Sequence, residues 1–342
     1  DRWTIDDYYG FAAFFARIDY RVLENKRKDD LDKHEFVGEQ IVFQNRDGEM
    51  VNPRTKAAAK PRFLGAPTPE FGPDADRLTA LADWVAAPEN AFFARAQANR
   101  VWLHLMGRGL VEPNDDFRAT NPPTNPELLD WLASDFCSGG FRLKRTIKTI
   151  MLSRVYQLAS TTRDSHTMGD ELHSSHALIA PLEAEQLLDA MSQVTEVPVP
   201  FNGYPLGLRA NQIPAPPQTG RRFTEGVGDR FLKTFGKPER LLTCECERND
   251  DPGLLQAFQM ITGDVVNGLI RTPENRIGRL LAAGKSDGEM LDEFYLAALC
   301  RKPTDAEKAK ILAYLAAAKD RRTAWEDVVW ALLNSKEFLL RR

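Results

Sequence analysis

Apolar residues repeat at helical spacing over most of the chain, and this pattern constrains the fold more than any other feature. Leu78, Leu81 and Val85 lie three or four residues apart, so a helix would place them on one face. The same spacing recurs in the segments 92–103, 128–136, 143–156, 182–194, 290–299, 305–318 and 324–333. The sequence therefore predicts a mainly α-helical protein, with one or more irregular multi-helix domains and long loops.

Several predicted helices carry start and stop signals. Thr4 and Asp7 have the spacing of a capping box. Asn125 followed by Pro126 is typical of an N-cap with proline in the first turn, and Gly107 is suited to end the helix before it. The first helix is predicted to carry an apolar stripe made by Tyr8, Phe11, Ala12, Phe15 and Ile18.

Two regions depart from the helical pattern. Residues 36–51 carry apolar side chains on both sides of Asp47-Gly48, with Ile41 and Phe43 before it and Met50 and Val51 after it. This predicts a small β-hairpin near the N-terminus with that pair in its turn. The proline-rich residues 53–73 predict an extended surface connector and a first domain boundary. Residues 196–240 are rich in proline and glycine and predict a long irregular excursion, a type of loop that is often functional.

Charge and hydropathy limit the possible partners. The net charge is −4, whereas binding the phosphates of a nucleic acid requires a surplus of lysine and arginine on one face. No apolar run reaches the ~18 residues that a membrane span needs, and the first residues do not form an export signal. We therefore expect no nucleic-acid partner and no membrane span. Because the chain begins at Asp1, we expect a piece of a longer protein.

The densest polar cluster follows the segment 92–103. Arg100 and His104 are four residues apart and would share a helix face, and acidic residues from the next loop could return to it. Arginines and carboxylates together can form an anion or metal site, but they can equally form an ion-pair network that locks helix to loop. The candidate catalytic residues are Arg100, His104, Asp115, Asp116 and Arg118. The pattern does not decide whether the chain is an enzyme.

Cys244 and Cys246 are the candidate metal ligands. In an extended chain, residues two apart point to the same side, but two thiolates alone cannot complete a tetrahedral zinc site. The alternatives are disulfides, including bonds to Cys137 or Cys300, or buried thiols. The histidines His166, His173 and His176 are predicted to be exposed loop residues.

Aromatic residues are predicted to serve two purposes. Most tryptophans are expected in the core, namely Trp102, Trp131, Trp325 and Trp330. An exposed aromatic patch in the 196–240 excursion would instead indicate a module that binds polysaccharide or protein, and its members would be Phe201, Tyr204 and Phe223.

Long runs of the sequence resemble a known domain. The runs are 99–102, 107–110, 115–118, 121–123, 126–132, 184–190, 235–240, 244–248, 295–299 and 330–338. Over about residues 60–342 the chain resembles the planctomycete "PSD" domain, an uncharacterised domain of cytochrome-c-associated exported proteins. It departs from that family at Ile179-Ala180-Pro181, where relatives tend to carry paired arginines.

The opening residues 1–15 resemble the tail of the companion domain that precedes the "PSD" domain in such proteins. The resemblance implies that residues 1–59, a helix plus the hairpin, are the tail of a cytochrome-associated domain. Residues 60–342 would be the helical "PSD"-type domain, with a possible split near 160–176. A Cys-x-x-Cys-His haem-attachment motif usually lies upstream, so haem c is expected there and no cofactor is expected on this chain.

The resemblance implies a periplasmic or otherwise extracytoplasmic domain that supports or positions a haem module for electron transfer. Tyr8, Phe11 and Phe15 would pack between the two modules. The upstream haem-bearing domain is the expected partner, with an envelope polysaccharide or a redox partner as further possibilities. The alternatives are a cell-envelope enzyme that acts on an anionic or carbohydrate substrate through the Arg/His/Asp cluster, and a polysaccharide- or protein-binding module.

Overall fold

The computed structural model describes residues 3–23, 40–68, 70–72, 75–161, 170, 172–213, 226–238 and 253–341. The chain divides into two compact units, unit 1 (residues 1–178) and unit 2 (residues 179–342). The predicted mainly helical class, with a small hairpin near the N-terminus, is confirmed. The boundaries predicted from the resemblance, near residue 60 and at 160–176, stay predictions. None of the helices in the described ranges combines the length and apolar composition needed to cross a bilayer.

Unit 1 contains five helices and a hairpin within its described residues. In chain order they are α1 (Ile5–Ala12), β1 (Ile18–Val22), β2 (Gln40–Gln44), α2 (Arg77–Val85), α3 (Ala91–Met106), α4 (Pro126–Ser138) and α5 (Leu143–Met151). The predicted helix ends are confirmed at three places. Thr4 and Asp7 form a reciprocal capping box, Asn125 caps α4, and Gly107 ends α3 at a left-handed φ of 82°. Local side-chain chemistry therefore sets these helix ends.

The hairpin forms, but the predicted partner and turn are wrong. β2 pairs antiparallel with β1, so that Ile18 faces Gln44 and Val22 faces Gln40. Ile18 therefore belongs to a strand and not to the apolar stripe of α1, which ends at Ala12. Gly48 has a different role from the predicted turn, because a Cβ atom there would lie 2.4 Å from the Ala16 carbonyl oxygen. Glycine at this position allows two backbone segments to approach closely.

Aromatic stacking organises one core of unit 1. Phe14, only 1% exposed, stacks on Phe63 at 5.1 Å between ring centroids, and Phe63 stacks on Trp84 at 4.9 Å. Phe11 packs against the same cluster. The described residues of the proline-rich stretch form neither helix nor strand, as predicted, yet this stretch places Phe63 in the core. It is therefore a packed part of unit 1 as well as a connector.

A second core of unit 1 lies where α3, α4 and α5 pack together. Trp102, Leu129, Leu132 and Ile150 are buried there, so the prediction for Trp102 is confirmed. The prediction that Trp131 is buried is wrong, because its side chain is 55% exposed. Its neighbour Leu132 takes the inward-facing position on α4.

The regular secondary structure in the described residues of unit 2 is helical, except for one short strand pair. The helices are α6 (Ala184–Thr195), a 3-10 turn (Ala210–Gln212), α7 (Val227–Thr234), α8 (Leu254–Thr262), α9 (Asp264–Arg271), α10 (Arg276–Ala282), α11 (Asp287–Leu299), α12 (Asp305–Ala317), α13 (Arg321–Leu333) and α14 (Lys336–Leu339). The strands β3 (Ala180–Pro181) and β4 (Leu340–Arg341) pair antiparallel. Met191, Leu333 and Trp325 are fully buried in the core of this unit.

The predicted irregular excursion at 196–240 contains the helix α7, which the sequence pattern does not reveal because of its glycines. Gly228 lies inside α7, and a Cβ atom there would lie 2.7 Å from Phe201 and 2.8 Å from Val199. This glycine therefore allows close packing instead of breaking the helix. Phe201 is only 5% exposed, so its predicted place in an exposed aromatic patch is wrong. Tyr204 is partly buried against the same core, and Phe223 lies outside the described residues.

Arg301 joins three elements of unit 2 through two carboxylates. It donates to Glu307 at 2.9 Å and to Glu337 at 2.7 Å and 2.8 Å, and it lies over the ring of Tyr295. Hydrogen bonds from Arg301 and from the backbone of Thr304 lower the pKa of Glu307 to about 2. The network connects Arg301, which lies just after α11, with both α12 and α14.

Unit 2 is expected to lose stability when the pH falls from about 4.5 towards about 2. The folded pKa of Glu307 lies below its ordinary value of 4.5, so its contribution is present above pH 4.5 and is lost as the carboxylate protonates. We expect about 1 kcal/mol, because a side chain that is 34% exposed is screened by solvent. Urea unfolding across this pH range should show a flatter pH dependence for Glu307→Gln. The exposed control Glu274→Gln should leave the pH dependence unchanged, and equal slopes in both variants would contradict this assignment.

Candidate functional site

The polar cluster predicted from the sequence folds into a loop, residues 107–125, that returns against α3. Asn99 of α3 is completely buried and lies at the centre of this contact. Its side-chain oxygen accepts a hydrogen bond from the Val111 N–H at 2.9 Å. Its amide nitrogen donates to the carbonyl oxygens of Val111 at 2.9 Å and Asn114 at 3.0 Å. The buried Asn99 amide therefore supplies hydrogen-bond partners to the backbone groups of Val111 and Asn114 in the loop.

Gly109 makes this return possible. A Cβ atom at this position would lie 2.3 Å from the Val111 carbonyl oxygen and 3.2 Å from the Asn99 side chain. The Gly109 N–H donates to the Glu112 carboxylate at 3.0 Å, and the Thr124 N–H donates to the Leu110 carbonyl oxygen at 2.7 Å. The loop is thus closed by short-range contacts that leave no space for a side chain at Gly109.

Two of the five candidate catalytic residues bind each other. Arg118 donates to both carboxylate oxygens of Asp116, from Nε at 2.6 Å and from Nη2 at 2.5 Å. Asn121 adds a hydrogen bond to the Asp116 carbonyl oxygen at 2.9 Å. The hydrogen bonds from Arg118 lower the pKa of the Asp116 carboxyl, and those to Asp116 raise the pKa of Arg118. This pair closes a local turn within the loop.

The other candidates occupy the surface around this loop. Asp115 is exposed beside Asp116, His104 is exposed on α3, and Arg100 is half-buried one turn before His104. The contacts of Asn99, Asp116 and Arg118 give this motif a structural role, which is to join α3 and the loop 107–125. A catalytic role of the five candidates stays a prediction.

Of the four cysteines, the structure describes only two. Cys244 and Cys246 lie outside the described residues, whereas Cys137 and Cys300 are free thiols. Within the described ranges, no group of three His, Cys, Asp or Glu side chains is arranged to hold a metal ion. His173 is exposed, as predicted, and its Nδ1 lies 2.9 Å from the Asp170 carboxylate. The described residues thus offer no donor set for a metal centre.

The hairpin exposes an apolar face that the sequence pattern alone does not identify. Tyr20 and Val42 are register partners, so both side chains point to the same side of the ribbon. Ile18 and Val22 share that side because side chains alternate along a strand. These four residues, here called the hairpin face, are between 39% and 62% exposed. On the opposite side Ile41 and Phe43 are also exposed, so neither side of the ribbon is covered.

Unit 2 contains a cavity of about 340 Å³ between α6 and the loop 198–209. Leu188 and Phe201 line its floor, and polar side chains surround it, namely Asp189, Ser192, Gln193, Glu196, Arg209 and Arg276. The sequence indicates only that the 196–240 excursion could be functional. No motif marks these residues, which come from the stretch 188–209 and, for Arg276, from a distant helix.

Comparison with known proteins identifies a family for this chain. Residues 77–315 match the model of the family described as "PSD1: Protein of unknown function (DUF1553)". No curated protein and no solved structure matches the chain. The family match extends from α2 of unit 1 into α12 of unit 2, and it includes both the α3–loop joint and the cavity. Because it covers more than half of the 342 residues, the chain belongs to the PSD1 family of proteins of unknown function.

Proposed function

We propose that this PSD1 chain is a helical domain of an extracytoplasmic, c-type-cytochrome-associated protein. In this proposal it supports and positions a haem module for electron transfer, and the module packs on the hairpin face. The observation that carries the proposal is the exposure of that face, where Tyr20 is 56% and Val42 62% exposed.

A two-stranded ribbon with so many exposed apolar side chains is expected to pack against another element. Isolated two-stranded hairpins are marginally stable in water, and stability normally requires further strands or packing against another element. Contiguous exposed apolar side chains commonly mark interaction surfaces, and each Å² of apolar area removed from water stabilises by about 25 cal/mol. Tyr8, 66% exposed, and Phe15, 43% exposed, add apolar surface on the neighbouring segment. Phe11, the third residue expected at such an interface, packs inside unit 1.

The choice of partner rests on the resemblance of residues 1–15 to the tail of a cytochrome-associated domain. A module joined to the same chain is present at a high effective concentration, so a small apolar face is sufficient to hold it. The chain itself has no Cys-x-x-Cys-His motif, so its own residues do not fit covalent haem attachment. The proposal therefore gives this chain a positioning role and places the haem on the partner.

The test is the haem reduction potential of the longer protein with its haem module. The double substitution Tyr20→Asp/Val42→Asp should detach the module and shift the potential by about 30 mV or more, because solvent exposure helps to set it. The control Leu254→Asp introduces the same kind of change at an apolar side chain of unit 2 that is 75% exposed, and should leave the potential unchanged. An unchanged potential in the double variant, or a longer protein without a haem absorption band, would refute the proposal.

The enzymatic and binding-module alternatives stay hypotheses. The enzymatic alternative requires Asp116 and Arg118 to be available to a substrate, but these two residues bind each other. The binding-module alternative requires Phe201 to be exposed, but it is buried.

A further inference from the structure

The cavity of unit 2 has the properties of a preformed small-molecule site. Its volume of about 340 Å³ lies within the range of about 300–1,000 Å³ that is typical of ligand pockets. The proposed haem-positioning role makes no use of it. It combines an apolar floor with converging polar groups, which is the usual composition of such sites.

The loop that forms one wall is held at both ends by carboxylates. At its start, Asp229 accepts a hydrogen bond from the Asn202 N–H at 3.0 Å. At its end, Asp189 accepts from the Ala210 N–H at 2.7 Å and from both nitrogens of Asn211, at 3.2 Å and 2.9 Å. These bonds anchor the wall at residue 202 and at residues 210–211, which lowers the cost of ordering it when a ligand binds.

Most charges around the cavity are already compensated. Arg276 donates to Glu293 at 2.9 Å, lies 3.3 Å from Glu196 and also donates to the Val194 carbonyl oxygen at 2.8 Å. Glu196 is further bound by Arg279, and these arginines lower the pKa of the Glu196 carboxyl. Arg276 and Arg279 therefore neutralise the carboxylates of Glu196 and Glu293.

Arg209 is different. Its side chain lines the cavity and is exposed. Among the residues that the structure describes, its guanidinium has no hydrogen-bond or ion-pair partner, and only its backbone N–H donates, to Gln212. A guanidinium presents a planar set of donors that matches a carboxylate with two parallel hydrogen bonds. Among the described residues, Arg209 is thus the lining arginine without a carboxylate partner, and its guanidinium is suited to bind a ligand carboxylate. Asp189, the other lining charge without an ion pair, is already bound by three N–H groups of Ala210 and Asn211.

The remaining groups fit hydroxyls and a ring. The Ser192 hydroxyl donates to the Val197 carbonyl oxygen at 2.6 Å, so its oxygen can accept a hydrogen bond from a ligand. The exposed amide of Gln193 can both donate and accept. Among the apolar lining residues, Pro198 is exposed and Leu208 is half-buried, so these two can contact the C–H face of a small ring.

We propose that this cavity binds a small sugar acid, a hydroxylated ring that carries one carboxylate. Arg209 binds the carboxylate, Ser192 and Gln193 bind hydroxyls, and the ring lies on Pro198 and Leu208. This inference is independent of the haem-positioning proposal, because it concerns unit 2 alone.

Isothermal titration of the 342-residue chain with D-glucuronate, D-glucose and inorganic phosphate tests the inference. D-glucuronate should bind saturably and at least tenfold more tightly than either of the others, because only it offers both the ring and the carboxylate. Arg209→Gln should weaken D-glucuronate binding at least tenfold. The control Arg271→Gln removes the same charge from an exposed position on α9 and should change binding less than twofold.

A second variant tests the cavity without altering its charge. Gln193→Trp places a large side chain at an exposed lining position and should abolish D-glucuronate binding while the helical circular-dichroism signal is retained. The inference is overturned if D-glucuronate shows no saturable binding, or if D-glucose or phosphate binds equally tightly. It is also overturned if Arg209→Gln and Arg271→Gln have equal effects, or if Gln193→Trp binds normally.

Discussion

Replacing Gly278 with alanine is expected to destabilise unit 2 by about 3 kcal/mol or more. Gly278 lies in the first turn of α10, and a Cβ atom there would lie 1.9 Å from the Pro273 carbonyl oxygen and 2.9 Å from the guanidinium of Arg322. The closest atom belongs to the backbone, so a side-chain rotation cannot relieve the clash. Arg322 also donates to the carbonyl oxygens of Thr272 and Pro273, so a shift of α10 would disturb these bonds as well. Guanidinium unfolding followed by circular dichroism measures the loss.

Gly268→Ala provides the matched control for Gly278→Ala. Gly268 lies inside the neighbouring helix α9 and is exposed. A methyl group at this position would meet no atom within 4 Å apart from the backbone of its own helix and its chain neighbours. Alanine there should stabilise unit 2 by about 0.5–1 kcal/mol, because alanine favours the helix over glycine. If both alanine variants changed the free energy of unfolding in the same direction, the close packing at Gly278 would be refuted.

Asn99→Leu is the second substitution with a large expected effect. Leucine branches at Cγ as asparagine does, but it would leave the N–H and carbonyl of Val111 without their partners, at a residue that is only 1% exposed. Each unsatisfied buried polar group costs about 1–3 kcal/mol, so we expect a loss of about 3–5 kcal/mol in unit 1. Hydrogen exchange of the α3 amides, measured by mass spectrometry, reports the stability of this unit.

The control for Asn99→Leu is Gln97→Leu. Gln97 lies two residues earlier on α3, is half-buried, and is also an amide. Its replacement should change the stability of unit 1 by less than about 1 kcal/mol, because no buried loop group depends on it. Equal effects of the two leucine variants would show that Asn99 does not hold the loop 107–125.

Helix positions and ends were predictable because they depend on neighbouring residues. The Thr4–Asp7 capping box, the Asn125 cap and the left-handed Gly107 each follow from side-chain chemistry within one helical turn. The apolar spacing of α11 and α13 likewise predicted their buried faces, including Trp325. These elements needed no information from distant parts of the chain.

The errors concern contacts between distant residues. Ile18 fits the spacing of a helix, but its backbone pairs with Gln44, and no local pattern shows that pairing. The sequence favours a turn at Gly48 and an irregular loop around Gly228. Both glycines instead allow another segment to pass within contact distance, near Ala16 and Phe201 respectively. A single sequence cannot distinguish these two uses of glycine.

In the candidate sites, too, local features were predictable from the sequence and contacts between distant residues were not. The polar motif between residues 99 and 118 is visible in the sequence, but the burial of Asn99 depends on the loop returning to it, which the spacing does not reveal. Arg209 was missed altogether, because an arginine in an irregular loop has no distinctive pattern. Its importance emerges only when the neighbouring arginines Arg276 and Arg279 are found to be ion-paired.

Amide hydrogen exchange of the hairpin tests the central claim, that a neighbouring haem module covers the hairpin face, most directly. Exchange at residues 18–22 and 40–44 would be compared between the 342-residue chain and the longer protein with its haem module. The proposal predicts that these amides exchange at least about tenfold more slowly in the longer protein, because packing on the face stabilises the ribbon against local opening. Equal exchange rates in the two proteins would contradict it.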